Sequence, residues 1–147
     1  MKKIFNFYAK YYDVFYNDKN YKYETSFIIN LLKKNKITKG KLLDFGCGTG
    51  THAIYFSKTN FDVTGVDFSE KMISIANEKI KKNNYKNIKF LKNDIKKIIF
   101  KEKFKVIVSL FHVFSYQTTN DEVKNFLRNA NNNLLKNGIL IFDFWYG

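Results

Sequence analysis

The sequence predicts an α/β fold, in which helices cover a doubly wound and mostly parallel sheet. Three observations support it: short apolar runs alternate with helical patterns, a glycine-rich stretch follows the first run, and acidic residues stand at the ends of three runs. The 147 residues, 45% hydrophobic and 18% aromatic, suffice for a single domain with a buried core. We expect residues 1–36 to form a helical lid and residues 37–147 to form the core.

Two helical patterns open the chain. Between Phe5 and Tyr16, aromatic residues recur at helical spacing and form one stripe that can pack on another surface, so this helix is either a lid or part of the core. Residues Tyr21 to Lys34 form a second amphipathic pattern, which ends in a lysine-rich stretch before the first strand.

The first strand leads into a glycine loop. Leu42 to Phe45 form a short apolar run, and Gly46, Gly48 and Gly50 then allow a sharp turn and a close approach of a ligand to backbone N–H groups. The helix predicted for Thr51 to Lys58 points its N-terminus at the same place. Because Thr51 occupies the position where a dinucleotide fingerprint requires glycine, NAD is not the first choice of ligand.

The remaining elements alternate between strand and helix. Ser69 is a suitable N-cap for a helix, and the cluster from Asn120 to Glu122 begins another helix through Leu135, with Gly138 as its C-terminal stop. The further strands are predicted at Phe61–Val66, Ile88–Leu91, Phe104–Leu110 and Ile139–Phe144.

Acidic residues follow the strands where ligands bind in such sheets. Asp67 lies roughly 20 residues beyond Gly46, where a carboxylate can accept hydrogen bonds from ribose hydroxyls. Asp94, with Ile95 beside it, is likewise placed to contact a ligand, and Asp44 can order the glycine loop or contact the ligand. Each of these acids could equally be a cap or turn residue.

The motif D-x-G-x-G-x-G, formed by Asp44 to Gly50, resembles motif I of class I S-adenosylmethionine-dependent methyltransferases. This resemblance implies a Rossmann-like fold and an enzyme that binds S-adenosylmethionine, releases S-adenosylhomocysteine and needs no metal. The implied cofactor-binding residues are Tyr12, Tyr21, Asp44, Gly46, Cys47, Gly48, Asp67, Phe68, Met72, Asp94, Ile95 and Leu110.

The flanking segments are similar to bacterial sugar N-methyltransferases, which methylate the amine of a nucleotide-linked amino sugar. The similarity is carried by Tyr12–Tyr16, Asp18–Tyr21 with Glu24, Ser109–Tyr116 and Phe142–Gly147. It implies that Tyr12 and Tyr21 line the pocket near the methionine moiety and that Tyr116 faces the acceptor. Ordinary aromatic packing is the alternative for all three.

Methyl transfer from a sulfonium needs positioning and one base that takes a proton from the acceptor. His112 is the first candidate because imidazole titrates near neutral pH, with Tyr116 behind it and Tyr12 as a further candidate. A structural role for His112 is at least as good an explanation, since Phe111 and Val113 flank it. His52 is interpreted as a helix-start residue, and Cys47 as a small residue that fits the loop.

The formal net charge of +13 has two explanations. Arg128 is the only arginine and proline is absent, as codon bias in an AT-rich genome would produce, whereas a functional basic surface would bind nucleic acid. We favour codon bias and expect a small-molecule acceptor rather than a nucleic-acid partner. An RNA methyltransferase and an inactive cofactor-binding module are the alternatives. The acceptor, and whether nitrogen or oxygen is methylated, stay open.

Cellular context follows from the cysteine and from hydropathy. Cys47 is the only cysteine, which excludes an internal disulfide and fits a reducing compartment. Since no apolar run reaches the ~18 residues of a membrane helix, we expect a cytoplasmic protein without a membrane partner.

The strand at 139–144 is the last one in this sequence, whereas the family continues with further strands. We expect an exposed apolar edge there that self-associates through residues 138–147. Either the sequence is a fragment or a partner supplies the missing layer, so we expect cofactor binding to survive and methyl transfer to be weak.

Overall fold

The structure is a computed structural model that describes residues 2–146, with side chains from residue 8 onward. The side chains of Phe5 and Phe7, which belong to the predicted aromatic segment, and Gly147 lie outside the described part. The elements in order are α1 (Lys2–Phe15), α2 (Tyr21–Lys34), β1 (Gly40–Phe45), α3 (Thr51–Ser57), β2 (Phe61–Asp67), α4 (Glu70–Asn83), β3 (Ile88–Lys92), β4 (Phe104–Ser109), a 3₁₀ turn (Val113–Tyr116), α5 (Asn120–Asn133) and β5 (Leu134–Phe142).

The five strands form one parallel sheet in the order β3-β2-β1-β4-β5. Leu42 in β1 pairs with Val63 of β2 on one side and with Val106 of β4 on the other. The chain first adds strands on one side of β1 and then returns to the opposite side, so the strand order reverses between β1 and β4. Ligands of open α/β sheets bind at this reversal, beyond the carboxyl ends of the strands. The predicted α/β fold is confirmed.

The sheet is covered on both faces, because alternate residues of the central strands are buried on opposite sides. Leu42 belongs to the cluster that includes residues of α2, α3 and α4, whereas Leu43 and Phe45 pack in the cluster that contains Phe126 of α5. All three β1 residues are fully buried. The near-continuous apolar run of β1 is therefore that of a central parallel strand.

The helix starts have the side-chain caps that the sequence favours. Asn20 caps α2, and Ser69 accepts a hydrogen bond from the Met72 backbone N–H at the start of α4, as predicted. Thr119 and Glu122 form a capping box at the start of α5. These caps fix where α2, α4 and α5 begin.

Two predictions for the last helix and strand are wrong. Helix α5 ends at Asn133 instead of continuing through Leu135, and Gly138 lies within β5 instead of stopping the helix. The cause is the fully buried Asn133, whose amide donates to the carbonyls of Ile98 and Asn129 and accepts from the Phe100 N–H. The chain becomes extended at the next residue, and strand β5 ends at Phe142 rather than at the predicted residue 144.

Strand β5 pairs with β4 and is an edge strand of the sheet. Beside it, an apolar groove lies between β5 and the end of α2, lined by Leu31, Leu32, Asn35 and residues 139–142. No helix within the described range 2–146 is long and apolar enough to cross a membrane.

Candidate functional site

The glycine loop folds tightly onto the carboxyl ends of β1 and β2. Gly46, Gly48 and Gly50 adopt φ angles of +77°, +54° and +79°, which L-residues with side chains rarely adopt. A Cβ on Gly46 would lie 2.5 Å from Val113, and a Cβ on Gly50 would lie 2.3 Å from Phe90. At Gly48, by contrast, a Cβ would meet nothing within 4 Å. Gly46 and Gly50 thus leave room for the side chains of Val113 and Phe90, while Gly48 lies beside open space.

Asp67 connects the glycine loop to the end of β2. One carboxylate oxygen accepts from the Gly48 N–H at 2.9 Å, and the other accepts from the Ser69 N–H at 2.8 Å. Burial raises the pKa of Asp67, and the hydrogen bonds from Ser69 and Gly48 act in the opposite direction. Since a carboxylate has about four acceptor positions, Asp67 can still accept from two hydroxyl groups.

Asp44 is the most unusual charge of the site. It is only 2% exposed, and its Oδ2 atom is buried without a hydrogen-bond partner among the described residues. Burial, followed by the charge of Asp67, raises the pKa of Asp44 to about 7. An unsatisfied buried carboxylate is costly unless a cation or a donor joins it. The site is therefore prepared for a positively charged group.

A cavity lies above the glycine loop and brings together seven of the predicted cofactor residues, namely Tyr12, Tyr21, Asp44, Gly46, Cys47, Gly48 and Leu110. His52, Phe111 and Val113 complete much of its wall. The cavity is small, with a volume of about 40 Å³. Three of its lining residues, Tyr12, Tyr21 and Phe111, are aromatic, so a ligand here would contact their rings as well as the glycine loop.

Tyr12 and Tyr21 are the hydroxyl groups of this cavity. Burial raises the pKa of Tyr12 above its ordinary range and raises that of Tyr21 to about 12, with a contribution from the charge of Asp13 at Tyr21. Both phenols stay protonated at neutral pH and can donate hydrogen bonds to an anionic group such as a carboxylate.

Helix α1 is tied to the glycine loop by a network of polar side chains. Asp13 of α1 accepts a hydrogen bond from the Thr49 hydroxyl at 2.6 Å and pairs with Lys79 of α4 at 2.7 Å. Lys79 also donates to the Thr49 carbonyl and to the Thr51 hydroxyl. This network holds the end of α1 over the glycine loop. Asp13 lay within a quoted motif, but nothing distinguished Lys79 from the other lysines.

His52 has a more specific place than the predicted helix start. It is the second residue of α3 and is buried, and its Nε2 lies 2.7 Å from a carboxylate oxygen of Glu24. The hydrogen bond to His52, together with Lys19, lowers the pKa of Glu24 to about 2. Tyr21 packs edge-on against the imidazole at 4.7 Å. The hydrogen-bonded pair of His52 and Glu24 thus provides a surface against which the Tyr21 ring packs.

Beyond β4 the chain makes an unusual turn. Phe111 and His112 both have left-handed backbone conformations, with φ angles of 65° and 63°. The carboxylate of Asp143 accepts hydrogen bonds from both of their backbone N–H groups. The His112 Nδ1 atom lies 3.9 Å from Asp143 and its ring 4.8 Å from that of Trp145. Left-handed bulky residues are strained and cluster at functional sites.

Several predicted residues lie outside the cavity. Tyr116 is 72% exposed on the 3₁₀ turn, and Phe68 is exposed after β2. The Asp94 carboxylate accepts from the Lys96 N–H, while Ile95 packs against the core on the α5 side. The loop containing Asp94 still reaches the site, because the Asn93 N–H donates to the Asp67 carbonyl at 3.0 Å. Met72 is buried at the start of α4.

Cys47 is buried within the loop. Burial raises the pKa of its thiol well above the ordinary value, so the thiolate that a nucleophile requires does not form at neutral pH.

Comparison with known proteins gives a consistent result. The sequence profile of a methyltransferase domain matches residues 42–138. The dTDP-3-amino-3,4,6-trideoxy-alpha-D-glucopyranose N,N-dimethyltransferase of Streptomyces venezuelae is 29% identical over 140 residues, 94% of this chain and 57% of that protein. The malonyl-[acyl-carrier protein] O-methyltransferase of Bacillus anthracis is 31% identical over 146 residues, 97% of this chain and 51% of that protein.

Among solved structures, an S-adenosylmethionine-dependent methyltransferase from Clostridium acetobutylicum ATCC 824 is similar with a TM-score of 0.82 and 27% identity. The similarity covers 94% of this chain and 56% of that one. The chain therefore spans about half the length of the relatives it matches.

Proposed function

Because this chain belongs to the methyltransferase domain family, within the class I S-adenosylmethionine-dependent methyltransferases, we propose that it transfers a methyl group from S-adenosylmethionine to the amine of an amino sugar nucleotide. The observation that carries the cofactor assignment is Asp44, which begins the D-x-G-x-G-x-G motif and whose buried Oδ2 has no hydrogen-bond partner among the described residues. The amine class of acceptor is supported by the sugar N,N-dimethyltransferase relative.

The residues fit the cofactor group by group. Asp44 would receive the ammonium of the methionine moiety, and the protonated hydroxyls of Tyr12 and Tyr21 would donate to its carboxylate. Asp67 would accept from the ribose hydroxyls, and the backbone of Gly48 borders the open space through which a ligand can approach. Phe68, Met72, Asp94, Ile95 and Leu110 would hold the adenine side and the remaining wall.

The bound cofactor supplies an electrophilic methyl group on a positively charged sulfur. The residues of this chain would hold the acceptor nitrogen beside that methyl group, and a base among them would take the proton that the nitrogen loses on methylation. His112 is the proposed base, with Tyr116 and Tyr12 as further candidates. The backbone N–H groups of Phe111 and His112 both donate to the Asp143 carboxylate, and these two hydrogen bonds fix the backbone that carries His112.

The charges around the site bear on the alternative of an RNA methyltransferase. Ten of the 13 acidic residues lie on the side of the sheet where the strands end, namely Asp13, Asp18, Glu24, Asp44, Asp67, Glu70, Asp94, Asp121, Glu122 and Asp143. On this acidic edge five acids pair with lysines, whereas Asp44 and Asp67 beside the glycine loop have no ion pair among the described residues. Their negative charge favours a cationic cofactor and an amine over a phosphate at this place. We therefore favour a small-molecule acceptor in a cytoplasmic enzyme over RNA as the methyl acceptor.

A single-turnover assay tests the proposed activity. Excess protein is incubated with S-adenosylmethionine and a dTDP-linked amino sugar, and the methylated product is followed by mass spectrometry. We expect methylation of the amine but not of the analogue that carries a hydroxyl in its place. His112→Gln should slow this step by about 10²-fold or more, as for other general bases.

In the same assay the affinity of His112→Gln for S-adenosylmethionine should stay within threefold of wild type. Cofactor binding without transfer to any amine would support the inactive binding module instead, and methylation of RNA in preference to the sugar would support the nucleic-acid alternative.

A further inference from the structure

Lysines gather along the edge of the sheet at which the strands begin, opposite to the site. Each helix from α2 onward ends close to the start of the next strand, so helix C-termini and strand beginnings share this edge. Thirteen lysines lie there, and we call this set the basic edge: Lys33, Lys34, Lys36, Lys39, Lys41, Lys58, Lys81, Lys82, Lys86, Lys101, Lys103, Lys105 and Lys136. The only acidic residues of the same edge are Asp62 and Glu102 among those described.

Contacts across the strands show that these lysines belong to one surface. Lys41 at the start of β1 pairs with Glu102 before β4, and Lys105 donates to the Asn137 carbonyl in β5 at 3.1 Å. On the other side, the Asn87 amide donates to the carbonyls of Ser57 and Phe61. The basic edge is therefore continuous from β3 to β5.

The basic edge differs from the acidic edge in how its charges are satisfied. Near the site, Lys19, Lys79, Lys92, Lys96 and Lys124 each pair with an acid. On the basic edge, Lys41 is the single lysine with an ion pair among the residues described. Lys105 donates to a backbone carbonyl, which does not neutralise its charge. Positive charges that no acid neutralises repel one another, which is unfavourable unless an anionic partner covers them.

Codon bias and helix dipoles together leave most of this placement of lysines unexplained. Codon bias accounts for the number of lysines but not for their separation from the acids. Cations are favourable in the last turn of a helix, which accounts for Lys33, Lys34, Lys81 and Lys82. Lys39, Lys101 and their neighbours before the strands lie outside any helix.

We propose that the basic edge binds the phosphate backbone of a nucleic acid without reading its sequence. Exposed asparagines and threonines lie between the lysines, at Asn35, Thr38, Thr59, Asn60 and Asn84. Such side chains donate hydrogen bonds to phosphate and sugar oxygens. A membrane-binding surface would instead carry apolar residues between its lysines, to insert among the lipids. RNA and DNA present the same backbone charge, and the experiment below separates them.

Fluorescence anisotropy with a short labelled RNA, and with a DNA of the same sequence, tests the proposal. The test variant carries Lys39→Glu, Lys86→Glu and Lys101→Glu, which lie before β1, β3 and β4 and are exposed without an ion pair. The matched control carries Lys22→Glu, Lys71→Glu and Lys97→Glu, which are equally exposed without an ion pair and change the net charge equally but lie elsewhere. Affinity for S-adenosylmethionine, measured on both variants, reports whether the fold is intact.

We expect wild type to bind with a dissociation constant of about 10⁻⁶ to 10⁻⁴ M that weakens with salt. The basic-edge variant should bind at least tenfold more weakly, with a salt slope lower by roughly 0.7 for each lost contact to a single strand, and the control variant should lose less than threefold. A preference for RNA over DNA would identify contacts to the ribose hydroxyl.

Three results would overturn the proposal. Equal losses in both variants would show that net charge alone attracts the nucleic acid. Binding to anionic phospholipid vesicles but not to nucleic acid would assign the surface to a membrane. Salt-sensitive self-association without nucleic-acid binding would mean that the acidic edge of a second copy is the partner. Failure of the methyl-transfer assay would not affect these results, because neither variant changes a residue of the cavity.

Discussion

The carboxyl ends of the strands form two halves that differ in how their backbone is held. In the cofactor half, beyond β1 and β2, the left-handed positions are glycines, and the acids that line it are half-buried or buried. In the half that we propose for the acceptor, beyond β4 and β5, the left-handed positions are Phe111 and His112, and Tyr116 and Trp145 are exposed. One half is determined by local residue types, while the other depends on a contact from Asp143, about 30 residues away.

The two halves are therefore suited to different functions, one to binding a ligand in a preformed site and the other to changing conformation when substrates enter. A site whose backbone conformation follows from its own glycines is ready to bind before any partner arrives. A turn that is strained and held by one distant carboxylate can change conformation at little cost, as the acceptor side of a transferase requires when substrates enter. The following changes test this contrast, in order of decreasing effect.

Replacing a glycine in one half should cost more stability than introducing a glycine in the other half. Gly46→Ala introduces a clash with Val113, so we expect it to lower the free energy of unfolding by about 1–3 kcal/mol more than Gly48→Ala does. His112→Gly replaces a left-handed bulky residue by one that tolerates this conformation, and it should change stability by less than about 1 kcal/mol. Urea unfolding of the three variants measures these differences. Equal costs at Gly46 and Gly48 would show that packing against the loop is unimportant.

Asp67→Ala should weaken S-adenosylmethionine binding by about 1–3 kcal/mol, because the ribose hydroxyls and the Gly48 N–H lose their acceptor. Asp62→Ala is the matched control, since Asp62 is an exposed acid at the opposite end of the same strand. Isothermal titration gives both affinities. If the folded Asp67→Ala variant bound as tightly as wild type, Asp67 would be a turn residue and nothing more.

The raised pKa of Asp44, about 7, gives two opposite pH dependences. In the free protein, the folded state keeps a proton that the unfolded state releases near pH 4, so stability should fall as pH rises from about 4 to 7. Binding of an ammonium group requires the ionised carboxylate, so affinity for S-adenosylmethionine should fall up to about tenfold per pH unit below 7.

Asp44→Asn should flatten both of these profiles, while Asp62→Asn should leave them unchanged. Unfolding and titration across this pH range are the measurements. A pH dependence of binding that persisted in Asp44→Asn would assign the titrating group elsewhere.

The difference between the two outer strands of the sheet, β3 and β5, has the smallest expected effect. The edge strand β3 carries Lys89 and Lys92, which discourage pairing with another chain, whereas residues 139–142 of β5 are apolar. We propose that the 147-residue chain self-associates weakly through β5. Light scattering should show concentration-dependent growth that Ile141→Lys abolishes. A monodisperse monomer at all concentrations would refute this proposal.

The fold and the cofactor half were largely predictable because their signals are local. Apolar runs and caps such as Ser69 place the elements, and the glycines with Asp44 and Asp67 place the loop. The start of β5 was not predictable, because the end of α5 is set by hydrogen bonds from Asn133 to a loop more than 30 residues earlier.

The contacts that α1 and α2 make with the core were likewise not predictable from the sequence. Lys79 meets Asp13, and His52 meets Glu24, only after α1 and α2 have packed against the core. A single sequence carries no signal for such pairs, since each partner is of a common residue type on its own helix. The unusual backbone of Phe111 and His112 likewise has no sequence signature, because glycine, the usual residue for that conformation, is absent there.

The central claim is that the cofactor half binds S-adenosylmethionine and not a dinucleotide. Calorimetric titration of the wild-type chain at pH 8, with S-adenosylmethionine and in parallel with NAD, tests it most directly. We expect saturable binding of S-adenosylmethionine with one site per chain, and no heat from NAD, because Thr51 occupies the position of the third dinucleotide glycine. Equal binding of both ligands, or binding of NAD alone, would contradict the claim.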